Sequence, residues 1–228
     1  MISKKPDFKK ANILANDILV ASSTLIAFPF NTKKIVKEWS DIKVLSFKCA
    51  HEYGIDIEAF GSEAAVIHCK NGRYLIFYNQ EDYPPRVKFS ILHEFGHYML
   101  GHELKEYVDK EEYGQVEVEA NCFAAQILMP EQVLSALRKR GAVITASFLI
   151  EHFGVSEEAA QKRLATMGKV NYDWRSSDEK MFDDAILFKY KAFMDSILPN
   201  KNMYYEFEDE FEMQCVRDSW DFDTRTRY

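Results

Sequence analysis

The feature that most constrains this chain is the pentapeptide His93-Glu94-Phe95-Gly96-His97, because it places two histidines four residues apart. On an α-helix, residues at i and i+4 lie on the same face, so both imidazole rings can reach one ion at roughly 2.0–2.1 Å. Glu94 would then lie beside a water on that ion, where it can act as a general base. The pattern therefore predicts a helix that carries two ligands of a zinc site.

The flanking residues favour this helix over a chance match. Ser90 is a suitable N-cap, and Ile91 and Leu92 follow it, which predicts a buried helix that begins just before His93. The alternative interpretation is a core helix whose two histidines are satisfied by hydrogen bonds. A core seldom takes two histidines and a glutamate on adjacent turns without a charge partner, so the metal site is preferred.

A catalytic zinc site needs a third protein ligand. A third histidine six residues after His97 is one solution, but that position holds Glu103, and His102 is one residue out of register. The better source is the segment 117–130, whose small and apolar residues recur at helical spacing and which ends at Pro130. A glutamate from this second helix would complete a site of two histidines and one glutamate.

Two glutamates of the second helix compete for the role of third ligand. Glu117 shares a helix face with Asn121, which could orient a ligating histidine through a hydrogen bond. Glu119 points about 160° away from Glu117 on a wheel of about 100° per residue. We therefore prefer Glu117 as the ligand and interpret Glu119 as a solvated or substrate-side carboxylate.

Three motifs stand in this part of the chain: His-Glu-Phe-Gly-His-Tyr (93–98), Glu-x-x-Ala-Asn-x-Phe-Ala-Ala (117–125) and Leu-Met-Pro (128–130). Together they resemble the motifs of the ImmA/IrrE metallopeptidases of bacteria and their mobile elements. The resemblance extends from the N-terminal helix to about residue 170. It implies a gluzincin-like Zn²⁺ site with His93, His97 and Glu117 as metal ligands and Glu94 as the catalytic base.

Members of this family are similar to proteases that cleave a cognate repressor and so release the genes of a phage, a conjugative element or a stress response. The resemblance implies a zinc metalloendopeptidase whose substrate is a protein partner, a helix-turn-helix repressor of a mobile genetic element or stress regulon. Two other functions stay open. One is a zinc-stabilised anti-repressor that captures its partner without cutting it, and the other is a DNA-binding regulator.

The expected mechanism is metal-assisted peptide hydrolysis. Zinc polarises the scissile carbonyl and lowers the pKa of its water toward about 7, while Glu94 takes the proton and delivers it to the leaving amine. Gluzincins often add a tyrosine or histidine that stabilises the oxyanion. Spacing does not rank the candidates for that role, which are Tyr98, His102, Tyr107, Tyr113 and Arg86.

The predicted fold is α+β, with a mainly helical zincin-like metallopeptidase domain over residues 1–140 that contains a small antiparallel sheet. Helices are expected over about 7–27 and 32–40, and strands over 43–47 and within 64–79. Asn71-Gly72 is a strong signal for a type I′ hairpin in the second strand region. An edge strand beside a metal cleft can hold a peptide substrate by main-chain pairing.

Residues 141–170 are predicted to form a helix-turn-helix-like unit. A helix over about 131–139 ends at Gly141, and two short helices follow between Thr145 and Met167. Ser156-Glu157-Glu158 places acid at the start of the second helix, where it repels phosphate. Nucleic-acid binding through 144–167, by Lys162 and Arg163, is therefore the lesser interpretation, and a structural or partner-docking unit is preferred.

Residues 171–228 form a predicted C-terminal extension that is acidic and aromatic from Lys201 onward, which suits folding back on the core or docking a partner. The net charge of −7 argues against a general nucleic-acid surface. The sequence has no recognisable signal peptide or membrane span, so the cytoplasm is the expected location. Four scattered cysteines, Cys49, Cys69, Cys122 and Cys215, predict reduced thiols.

Overall fold

The computed structural model describes residues 5–56, 64–68, 73–102, 110–167 and 175–198. Those residues are mainly helical and carry one small sheet, as the sequence predicted. The helices are α1 (Phe8–Ala21), α2 (Thr32–Trp39), α3 (Pro84–Leu100), α4 (Lys110–Leu128), α5 (Glu131–Lys139), α6 (Ala146–Phe153), α7 (Glu157–Thr166), α8 (Ser177–Lys189) and α9 (Lys191–Ile197). The strands are β1 (Lys43–Ser46), β2 (Ala64–His68) and β3 (Tyr74–Tyr78), and a 3₁₀ segment spans Phe47–Tyr53.

Helix α1 ends six residues earlier than the predicted boundary near residue 27. Its C-cap, Ser22, has extended backbone angles, and the Ser22 hydroxyl accepts hydrogen bonds from the Thr24 and Leu25 N–H groups. Glu38 of α2 accepts from the hydroxyls of Ser22, Ser23 and Thr24. Short hydroxyl side chains that bond nearby backbone compete with helical hydrogen bonding, and here they end the helix.

Helix α3 begins earlier than predicted, and the assignment of Ser90 as its N-cap was wrong. The helix begins at Pro84, with Tyr83 at the N-cap, so Ser90 lies inside it. Proline is favoured in the first turn because its missing N–H would have no helical partner there and its φ is already helical. His93 consequently lies in the middle of a helix of 17 residues and not near its start.

The sheet is mixed, which corrects the prediction of an antiparallel sheet. The strand order is β1-β3-β2, with β1 parallel to β3 and β2 antiparallel to β3. Strand β3 lies in the centre of the sheet. Strands β1 and β2 pair with its two opposite edges, and β1 runs in the same direction as β3. Leu75, Ile76 and Phe77 of the central strand are all buried, as suits a strand covered on both faces. The predicted turn at Asn71-Gly72 lies outside the described residues.

One apolar core extends from α1 to α9, with α3 packed between the sheet, α1 and α4. The predicted helices at 131–139 and between 145 and 167 are confirmed as α5, α6 and α7. Part of the predicted C-terminal extension belongs to this core, because buried Tyr190 donates from its hydroxyl toward the carbonyls of Leu19 and Leu25, 3.0 Å away in each case. The acidic and aromatic segment from Lys201 onward lies outside the described residues. The division into units at 140/141 and 170/171 stays a prediction.

The thiols in the described part of the chain are both free. These are Cys49 and Cys122, whereas Cys69 and Cys215 lie outside it. Burial raises the pKa of the Cys122 thiol, and its Sγ faces Asn12 of α1. Cys122 therefore lies in the packing between α1 and α4. None of the helices described is both long and apolar enough to cross a membrane.

Candidate metal centre

The site is formed where α4 crosses α3. The Nε2 atoms of His93 and His97 lie 3.1 Å apart, one turn from each other on α3. Glu117 of α4 places one carboxylate oxygen 3.2 Å from Nε2 of His93 and the other 3.3 Å from Nε2 of His97. Two imidazoles and a carboxylate thus converge on one point.

This arrangement fits a tetrahedral metal ion. Four ligand atoms at roughly 2.0–2.1 Å from zinc lie about 3.3–3.4 Å from one another, close to the separations between these three side chains. The ligand atoms of His93, His97 and Glu117 all lie within 4.8 Å of one another. In the described part of the chain, no other group of three or more residues drawn from His, Cys, Asp and Glu brings its ligand atoms this close together. The three residues could therefore hold a divalent metal, and two nitrogens with one carboxylate suit zinc.

The second ring nitrogen of His93 is held by Asn121. Asn121 lies one turn after Glu117 on α4, and its Oδ1 is 3.1 Å from His93 Nδ1. The amide oxygen can only accept, so His93 donates from Nδ1, and a neutral His93 would present the lone pair of Nε2, the atom that faces Glu117, to a metal ion. This contact is the one that the shared helix face of Glu117 and Asn121 predicted.

The second ring nitrogen of His97 faces His102. Nδ1 of His102 is 3.0 Å from Nδ1 of His97, and Nε2 of His102 is 2.9 Å from Glu119 Oε2. The interpretation of Glu119 as a solvated or substrate-side carboxylate was wrong, because its side chain is only 15% exposed and its other oxygen accepts from the Asp7 N–H. Glu119 points away from Glu117, as the helical wheel predicted, but toward the protein.

The charges of the site influence one another strongly. Burial raises the pKa of Glu117, but hydrogen bonds from His93 and His97 outweigh it and hold that pKa well below the usual range. Burial lowers the pKa of His93, but the hydrogen bond to Glu117 and the negative charges of Glu94 and Glu117 raise it above its ordinary value. The Glu117 carboxylate therefore stays ionised. A metal cation bound between the two imidazole rings would take the place of the proton that the negative charges of Glu94 and Glu117 favour on His93.

Glu94 lies on α3 next to His93, and its charge acts on His93 and Tyr113. Tyr113 lies one turn before Glu117 on α4 and is 51% exposed. The charge of Glu117, burial and a hydrogen bond with the Glu117 carboxylate raise the pKa of the Tyr113 hydroxyl. A carboxylate of α3 and a hydroxyl of α4 therefore lie close enough to the metal cluster to interact with it.

The other candidates for stabilising an oxyanion are placed differently. Tyr98 packs its ring against Tyr74 and Phe95, and Arg86 forms an ion pair with Asp82 at 3.6 Å. His102 is held between His97 and Glu119. Tyr107 lies outside the described residues. Among the candidates for the oxyanion role that the structure describes, Tyr113 is accordingly the exposed one that contacts Glu117 of the metal cluster.

Lys162 and Arg163, the two basic residues proposed to bind nucleic acid, already have partners on the protein. Lys162 pairs with Glu158 one turn earlier on α7, at 2.7 Å. Arg163 is only 7% exposed and donates to the Gln126 side-chain oxygen of α4 at 2.7 Å. Arg163 thus links α7 to α4, the helix that carries Glu117. Its buried guanidinium group is inaccessible to a phosphate backbone. The choice between nucleic-acid binding and a structural or partner-docking unit stays a prediction.

The close crossing of α3 and α4 depends on Gly96. A methyl group there would lie 3.0 Å from Phe123 Cδ1 and 3.4 Å from Ala120 Cα, and Phe123 is fully buried. Gly96→Ala is therefore expected to destabilise the fold, because overpacking costs about 1–3 kcal/mol against a helix-propensity gain of about 1 kcal/mol. Because it separates Glu117 from the histidines, it should also weaken zinc binding. Denaturant unfolding and zinc titration measure both effects.

Gly114→Ala on α4 is the matched control for this substitution. Gly114 is exposed and has no atom within 4 Å of its would-be Cβ, so alanine there should raise the unfolding free energy by about 1 kcal/mol. Opposite signs for the two glycines are expected. Equal stabilisation by both substitutions would show that the helix crossing does not need a glycine.

The sequence of this region matches a known family. Residues 50–165, which are 116 of 228, match the model of the IrrE N-terminal-like domain, a peptidase family. The matched range includes both helices of the metal cluster and continues through α6 into α7. No curated protein matches the chain.

Proposed function

Because the chain belongs to the ImmA/IrrE family of peptidases, with an IrrE N-terminal-like domain, we propose that it is a zinc-dependent endopeptidase that cuts a specific protein partner. The partner we propose is a helix-turn-helix transcriptional repressor of a mobile element or stress regulon. The observation that carries the enzyme assignment is the convergence of His93, His97 and Glu117 on one point, with Glu94 beside it. Their donor set suits zinc rather than Mg²⁺ or Ca²⁺, which prefer oxygen ligands alone.

Zinc held by these three side chains would supply a Lewis acid for the scissile carbonyl and for the attacking water. Glu94 is the group on α3 that can take a proton from that water on its carboxylate and return it to the leaving amine. Tyr113 is the candidate best placed to donate a hydrogen bond to the oxygen that gains charge. Asn121 would hold the His93 ring in position during these transfers.

The sheet supports a peptide rather than a small molecule as the substrate. Strand β2 is an edge of the described sheet and packs next to α3, the helix that carries the two histidines. An extended chain can add to such an edge by main-chain hydrogen bonds, and this would bring it alongside the zinc site. Side-chain pockets would then select the sequence that is cut.

The proposed activity is tested with the purified chain and the helix-turn-helix repressor encoded nearest to its gene. A peptide library serves as a second substrate. Fragments are expected with the zinc-loaded protein, none after a chelator has removed the metal, and fragments again after zinc is restored, as judged by mass spectrometry. Cleavage that persists without metal would contradict the zinc mechanism, and no cleavage of either substrate by the zinc-loaded protein would contradict the endopeptidase assignment.

A further inference from the structure

His102 lies beside His97 because of the way in which α3 ends. Gly101 adopts the left-handed conformation with φ +71° directly after the last helical residue, Leu100. Its N–H donates to the Tyr98 carbonyl at 3.1 Å, and the N–H of His102 donates to the His97 carbonyl at 3.0 Å. These two hydrogen bonds define a Schellman motif, in which the side chain two residues past the helix end turns back onto its last turn. The motif thereby presents His102 to His97.

The hydrogen bonds of this turn give the ring nitrogens defined roles. A carboxylate only accepts, so Glu119 accepts from Nε2–H of His102. A neutral imidazole has one donor and one acceptor, which leaves Nδ1 of His102 as the acceptor that faces Nδ1 of His97. His97 must then donate from Nδ1, so a neutral His97 would keep the lone pair on Nε2, next to His93 and Glu117, for a metal ion.

The carboxylate that begins this chain of hydrogen bonds is itself fixed. Glu119 Oε1 accepts from the Asp7 N–H at 2.7 Å, at the start of α1. Lys10, in the first turn of α1, donates from Nζ to the Leu100 carbonyl at 2.6 Å and so supports the end of α3. The side chains of His102 and Glu119 are only 7% and 15% exposed, which limits competition from water for these bonds.

We propose that His102 and Glu119 are a positioning pair that holds His97 with its proton on Nδ1 and its Nε2 lone pair directed at the metal. The pair touches neither substrate nor metal and acts through His97. This inference rests on the proposed zinc site and extends it to the group that orients one of its ligands. Asn121 does the same for His93 with a neutral amide, so the two histidines are oriented by different chemistry.

The test is zinc affinity, measured by competition with a chromophoric chelator, for wild type, His102→Phe and His102→Gln. Phenylalanine fills the space of histidine but cannot accept a hydrogen bond, so zinc affinity is expected to fall about 10–100-fold. Glutamine offers a side-chain oxygen to the His97 Nδ1–H and is expected to recover most of the loss. A residue that only fills space would give the reverse order, with phenylalanine the better replacement.

A spectroscopic measurement on the wild-type protein makes the inference independent of how the variants fold. In the zinc-loaded chain labelled with ¹⁵N-histidine, the bridging proton is expected on Nδ1 of His97, with scalar coupling across the hydrogen bond to Nδ1 of His102. A bridging proton bound to His102, or an undiminished zinc affinity in His102→Phe, would overturn the positioning role alone. A wild-type chain that binds no zinc would overturn the proposed metal site as well.

Discussion

Glu94→Gln is expected to reduce partner cleavage by about 10²–10⁴-fold while the protein still folds and binds zinc. Glutamine has the shape of glutamate, but its amide cannot take the proton from the attacking water. The three residues that we propose as metal ligands are unchanged, so zinc binding is retained. Cleavage rate is measured by fragment formation from the repressor, and zinc binding by chelator competition.

Glu151→Gln is the matched control for this substitution, because Glu151 is an exposed glutamate on α6 and its replacement removes the same charge. The control is expected to cleave at the wild-type rate. Equal cleavage by Glu94→Gln and wild type would reject the role of Glu94 as base. Release of the repressor from its operator by uncut complexes of Glu94→Gln would instead support the anti-repressor function.

Glu117→Ala is expected to abolish the stabilisation of the fold by zinc. A ligand that binds only the folded state, at a thousand times its Kd, adds about 4 kcal/mol to the unfolding free energy. For a chain of this size, that gain corresponds to about 8–16 °C in Tm. Alanine removes the carboxylate that contacts both histidines, at 3.2 and 3.3 Å, so the gain should vanish. Thermal unfolding with and without zinc measures it.

Glu151→Ala again serves as the control, since it should keep the full zinc-dependent shift in Tm. The substitution also discriminates between the two glutamates of α4. If zinc stabilised Glu117→Ala as much as wild type, the third metal ligand would be a group other than Glu117. Glu119 would then be the next residue to substitute by alanine. The contact of Glu119 with His102 and Asp7 predicts that this does not occur.

The helical periodicity of the sequence predicted the elements of the site better than their ends. The helix that carries His93 and His97 follows from the spacing. Its start was predicted at Ser90, but the helix begins at Pro84, because Pro84 and Pro85 suit its first turn. The end of α1 was missed because it depends on Glu38, a residue of another helix that binds the Ser22–Thr24 hydroxyls. Such contacts between distant segments leave no periodic signal.

The direction of β1 in the sheet could not be read from its sequence either. Strands β2 and β3 follow each other in the chain and pair antiparallel. Strand β1 pairs with β3 on the side opposite β2, and a four-residue strand carries no pattern that specifies its orientation. Its direction is settled only in the tertiary structure, where β1 pairs with β3 and contacts α2.

By itself the sequence determined the chemistry of the candidate site: a helix with two histidines on one face, a neighbouring glutamate, and a second helix on which Glu117 and Asn121 share a side. Helical geometry is local, and for that reason spacing alone predicted it. Tertiary structure decided that α4 crosses α3 at Gly96 closely enough to bring the three side chains together. It also decided that His102 and Glu119 lie behind His97, because a left-handed turn at Gly101 and the N-terminus of α1 put them there.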